Sequence, residues 1–174
     1  MGTYVNPGNQ AFRRIDGPNY VDKTGLIRLI NERIGGDDSL VCISRPRRFG
    51  KSYAAKMLAA YYDCSCDSRG LFDKKIAARS KSYRAYLNHF NVIYLEITSF
   101  ISEARTLQKP LTEVPGMIME AIHDDLQRSN PDLPALRTVN DELLYCTEKP
   151  DGKQFVFIID EWDAMIREAK DDEN

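Results

Sequence analysis

The order of apolar runs predicts an α/β fold in three layers, with helices on both faces of a mainly parallel sheet. Three observations carry this. Leu40-Val41-Cys42-Ile43 is a short apolar run that leads through Ser44-Arg45-Pro46-Arg47-Arg48-Phe49 into Gly50-Lys51-Ser52 and then a helix-like stretch from Tyr53. Asn91-Val92-Ile93-Tyr94-Leu95-Glu96-Ile97 alternates only weakly, as expected of a strand covered on both faces. Phe155-Val156-Phe157-Ile158-Ile159 reads as a third, buried strand, and it ends in Asp160-Glu161.

At 174 residues the chain is long enough for one domain, and a chain of this size buries roughly 70% of its unfolded surface, so no disulfide or metal staple is required. A net charge of −2 selects no class of partner. Cys42, Cys64, Cys66 and Cys146 lack metal-ligand spacing, and His89 and His123 are isolated, so reduced thiols and no zinc are expected. No charged-then-apolar leader opens the chain and no apolar run approaches a membrane span. A cytoplasmic location follows as the expectation.

Residues 1–19 carry Gly2, Pro7, Gly8, Gly17 and Pro18 with little periodicity and read as an N-terminal arm, with the domain proper over 20–174. Leu26, Ile27, Leu29, Ile30 and Ile34 share one helical face, Asp22 is the expected N-cap, and Gly35-Gly36-Asp37-Asp38 ends the helix. Ala54, Ala55, Met57, Leu58 and Tyr61 suit a helix packed closely on a sheet. Leu71-Phe72 and a basic stretch over 74–84 precede the second strand, and residues 98–153 read as mostly helical, with helices near 111–129 and 139–147. Pro150-Asp151-Gly152 turns the chain into the last strand. Three strands leave an edge and an apolar face uncovered, so the chain reads as the front part of a larger domain.

A strand, a tight loop ending Gly-Lys-Ser and a helix make a phosphate cradle. Backbone N–H groups and the helix N-terminus point at the phosphates, Lys51 adds a positive charge, and the Ser52 hydroxyl can ligate Mg²⁺. Arg47, Arg48, Phe49 and Tyr53 flank this core and complete the candidate binding set. The loop departs from the regular Walker A, because Arg45 stands where its first glycine belongs. Roughly a hundred residues later, Asp160 at a strand end is placed to support the metal with Ser52. Glu161 is placed to orient or deprotonate an attacking water. Asp163 has two readings, a helix cap, which is favoured, and a metal contact. The pair of motifs is that of a P-loop NTPase binding ATP and Mg²⁺.

Four segments together are distinctive: Tyr20-Val21-Asp22-Lys23-Thr24-Gly25-Leu26-Ile27, Arg45-Pro46-Arg47-Arg48-Phe49-Gly50-Lys51-Ser52, Leu71-Phe72, and Ile158-Ile159-Asp160-Glu161-Trp162-Asp163. They resemble the predicted AAA-ATPase-like family of bacteria, related to the STAND and AAA+ ATPases, over about residues 10–170. The resemblance makes Arg45 the family's own version of the loop. It implies phosphate and Mg²⁺ binding by Gly50, Lys51 and Ser52, metal support by Asp160, and a catalytic base in Glu161. It also implies further C-terminal domains, often nuclease-like, beyond this chain. Members commonly carry Tyr where Trp162 stands and a proline soon after Asp163, where this chain has Ala164-Met165.

Arg47 and Arg48 have three readings: phosphate contacts, structural ion pairs, or nucleic-acid contacts. Tyr20 either stacks on a base or packs in the arm, with Asp22 and Lys23 fixing that arm. Two functions stand beside an ATPase. One is a nucleotide-sensing module without turnover. The other is a nucleic-acid-associated module using Arg45, Arg47, Arg48 and the basic stretch, with homo-oligomers or nucleic acid as partners of the complete protein.

Overall fold

The computed structural model describes residues 2–44 and 49–172. The chain passes through α1 (Gln10–Arg13), α2 (Gly25–Asn31), α3 (Lys51–Tyr62), α4 (Arg69–Phe72), α5 (Tyr83–Tyr86) and strand β1 (Asn91–Glu96). It continues through α6 (Ile97–Thr106), α7 (Val114–Ser129), α8 (Val139–Glu148), strand β2 (Phe155–Asp160) and α9 (Ala164–Asp172), with 3-10 turns at Ile76–Arg79 and Leu111–Glu113.

The fold is α/β. β1 and β2 pair in parallel, with Asn91 opposite Phe155 and Glu96 opposite Asp160, so both strands end side by side on a carboxylate. Successive side chains leave opposite faces. Val92 and Tyr94 join Val156 and Ile158 against Met57, Tyr61 and Tyr62 of α3. Ile93, Leu95 and Phe155 turn the other way, onto Phe100 and Ile101 of α6 and Met117, Ile122 and Leu126 of α7. Helices thus lie on both sides of the sheet, each fully buried large apolar side chain contributing about 1.5–3 kcal/mol relative to exposure. The last strand is not the buried one expected, since Phe157 and Ile159 of β2 are 50% and 49% exposed beyond the reach of α6 and α7.

The N-terminal arm closes the free edge of β1. Asn6 N–H donates to the Val92 carbonyl at 2.7 Å and Tyr94 N–H to the Tyr4 carbonyl at 2.8 Å, while Val92 N–H donates to Asn6 Oδ1 at 2.8 Å. The fully buried Asp125 of α7 holds the arm there by accepting from the Tyr4 and Val5 amides at 2.6 and 3.0 Å.

The expected first strand over 40–43 is absent. These residues form no regular element, and Leu40 is 96% exposed. Strand-forming residues become a strand only against a sheet edge. Both edges of β1 are occupied, and among the described residues the outer edge of β2 pairs with nothing. Among the described residues the sheet therefore has two strands where three are expected. Two smaller corrections concern ends. The N-cap of α2 is Thr24, not Asp22, and Ile97 opens α6 rather than closing β1.

α3 fixes the geometry that follows. At its carboxyl end, Phe90 N–H donates to the Tyr62 carbonyl at 3.0 Å and Cys64 N–H to the Phe90 carbonyl at 2.9 Å. That end is tied to the start of β1. Helix and strand are similar in length, about 18 and 20 Å.

Candidate functional site

Gly50 turns the chain into α3. Its φ of 76° and ψ of 34° are left-handed, a conformation that glycine adopts without the Cβ clash any other residue suffers. Lys51 and Ser52 follow as the first two residues of the helix, half-buried, and Tyr53 is 54% exposed. With the other end of α3 pinned at the amino end of β1 and its body packed on both strands, this positive helix end lies toward the strands' carboxyl ends. Arg47 and Arg48 lie outside the described residues. Phe49 is 61% exposed and serves through its backbone, its carbonyl accepting from Lys23 Nζ at 2.8 Å.

At the carboxyl end of β2, Asp160 is 5% exposed. Among the described residues its oxygens accept from the neighbouring Glu161 N–H at 3.1 Å and, at the long distance of 3.5 Å, from the Tyr94 hydroxyl. A buried carboxylate so lightly engaged retains acceptor capacity. Burial first, then the Asp160 and Glu96 charges, hold the Tyr94 hydroxyl's pKa well above the ordinary tyrosine range, so it stays a donor.

Glu161 follows in the left-handed region, with φ of 53°. Arg167, one turn into α9, spans the turn: Nη2 donates to Glu161 Oε2 at 2.9 Å and Nη1 to Asp163 Oδ2 at 2.7 Å. The side chain of Asp163 is thus an ion-pair partner, and Ala164 N–H donates to the Glu161 carbonyl at 2.9 Å to start the helix.

The sequence reading missed Arg167 and the reach of Lys23. Asp163 and Arg167 are spaced i,i+4, a signal for one arm of the fork only. Lys23 carried a clearer sign, standing between two short polar residues that turn inward. Asp22 Oδ1 accepts from both the Thr24 amide, at 2.9 Å, and the Thr24 hydroxyl, at 2.6 Å. Against a burial cost, these bonds and one from Ile76 hold the Asp22 carboxyl below its usual pKa.

A shallow cavity of about 470 Å³ lined by Cys64, Cys66, Arg69 and Arg84 lies at the other end of α3, away from these groups. Burial pushes both thiols' pKa values up, so neither is an activated nucleophile. Among the described residues no cluster of His, Cys, Asp or Glu is arranged as a ready metal cage.

A left-handed glycine thus opens α3, and a buried aspartate ends β2. A family model described as "Predicted AAA-ATPase" matches residues 7–174. The chain belongs to the predicted AAA-ATPase family. No curated protein and no solved structure is significantly similar to it. In this AAA-ATPase-like chain no described helix is long and apolar enough to cross a membrane.

Proposed function

We propose that the chain binds MgATP and, in its complete form, hydrolyses it. The observation that carries this is the left-handed Gly50 opening α3 with Lys51 and Ser52 in its first turn, on a helix whose amino end lies toward Asp160. The amides of Gly50, Lys51 and Ser52 and the Lys51 ammonium bind phosphate oxygens. The Ser52 hydroxyl and the Asp160 carboxylate would hold Mg²⁺. Phe49 and Tyr53 border the nucleotide, and Arg47 and Arg48 extend the positive charge of the loop. Bound Mg²⁺ would neutralise phosphate charge as the terminal bond breaks. Glu161 accepts the proton of the attacking water. The free cysteines suit a reducing cytoplasm.

The Arg167–Glu161 pair favours a second reading, nucleotide sensing without turnover. A carboxylate oxygen engaged by a guanidinium is a poor proton acceptor until it is released. Calorimetric titration with MgATP, alongside phosphate release, separates the two. The ATPase reading expects saturable binding by Glu161→Gln with turnover lost. Binding by the unsubstituted full-length protein without phosphate release would leave the sensing module, and absence of binding would remove both.

A further inference from the structure

We propose that Lys23 is a phosphate-binding residue, a second ammonium delivered to the Gly50-Lys51-Ser52 turn from outside the loop; this rests on the nucleotide reading of that turn. Lys23 belongs to the segment before α2, 26 residues upstream of the Phe49 carbonyl that its Nζ meets at 2.8 Å. It stands close enough that a Cβ added at Gly50 would lie 2.9 Å from Nζ. An ammonium has three donors, and the Phe49 carbonyl uses one.

Its neighbours explain why it points there. Asp22 Oδ2 accepts from Ile76 N–H at 2.9 Å, and Thr24 Oγ1 accepts from Ala77 N–H at 3.0 Å. With the two Asp22–Thr24 bonds, these fix the backbone on either side of Lys23 to the Ile76–Arg79 turn. Thr24 is fully buried, whereas Lys23 is exposed. The segment is a rigid mount with its one long cation turned toward the loop.

Lys75 shows what a structural lysine looks like in the same region. It pairs with Asp16 at 2.6 Å and sits 5.1 Å from the centre of the Tyr20 ring. Among the described residues Lys23 and Lys51 have no carboxylate in ion-pair range. Two lysines beside the positive end of α3 repel one another and the helix dipole. A polyphosphate relieves that repulsion, and a staple holding the arm in place would not need it.

The test compares the unsubstituted chain with Lys23→Gln and Lys23→Arg by calorimetric titration with MgATP and with inorganic tripolyphosphate, which lacks base and sugar, alongside thermal unfolding without ligand. The proposal expects Lys23→Gln to weaken both ligands about tenfold, Lys23→Arg to recover most of the loss, and the ligand-free unfolding midpoint to stay unchanged. Equal affinity in Lys23→Gln overturns it. So does a lowered ligand-free midpoint with tripolyphosphate binding unaffected, which identifies a staple. If the unsubstituted chain binds neither ligand, the nucleotide reading itself fails, and the role of Lys23 with it.

Discussion

Arg167 holds Glu161 and Asp163 in one guanidinium fork, at 2.9 and 2.7 Å, across a turn whose first residue has a left-handed backbone. A non-glycine residue in that region costs free energy and persists where its surroundings impose it. The fork and the Ala164 amide are what impose it here. Trp162 lies inside the turn, 57% exposed, and is the sole tryptophan. Arg167→Ala should therefore make Trp162 more accessible to a neutral quencher and alter its emission, with helix content retained. Unchanged quenching would mean the turn stands without its clamp.

Gly50→Ala should destabilise the chain by about 1–2 kcal/mol, because alanine meets the left-handed clash that glycine avoids. The nearby Lys23 side chain can swing away, so backbone strain is the main cost. Gly50→Asn should cost less, since asparagine tolerates that region. Denaturant unfolding of the two variants checks the order; equal stability of Gly50→Ala and the unsubstituted chain would contradict it.

Phe72 is fully buried, stacked on Phe12 at 5.3 Å and edge-on to Tyr61 at 5.5 Å. Phe72→Ala should cost about 3–5 kcal/mol, and it removes the surface on which Phe12 of α1 rests. Chemical unfolding, together with proteolysis within the first twenty residues, should show the arm loosening first.

The chain should also lose stability in alkali. Burial is the largest cause that raises Tyr61 from 10.0 to about 12, opposed by a hydrogen bond with Asn31. Burial likewise raises Tyr62 and Tyr83. A pKa raised on folding contributes stability that is complete below the unfolded value and lost as pH climbs through the folded one. Stability should thus be steady up to about pH 10 and fall toward pH 12. Phenolate absorbance should rise together with loss of helical circular dichroism, and Tyr61→Phe should delay both. Full tyrosine ionisation with the fold intact would contradict the assignment.

The parts legible in the sequence are those whose neighbours are local or apolar. β1 and β2 are evident because each presents apolar side chains to both layers, as with Val92 against α3 and Ile93 against α6. Gly50 is legible because a helix opening on Gly-Lys-Ser has few geometries. Leu40-Val41-Cys42-Ile43 misleads, since strand preference does not say whether a sheet edge is free. The turn at Glu161 is hidden because no glycine marks it. The second arm of the Arg167 fork depends on that turn. Lys23 depends on a contact across 26 residues that no periodicity records.

The central claim is that the turn at Gly50 and Lys51 binds nucleotide phosphate. Thermal or chemical unfolding of the chain with and without MgATP tests it most directly. At ligand about 100-fold above its dissociation constant, the unsubstituted chain should gain about 2.7 kcal/mol, and Lys51→Ala should gain essentially nothing. An equal gain in Lys51→Ala would contradict the account.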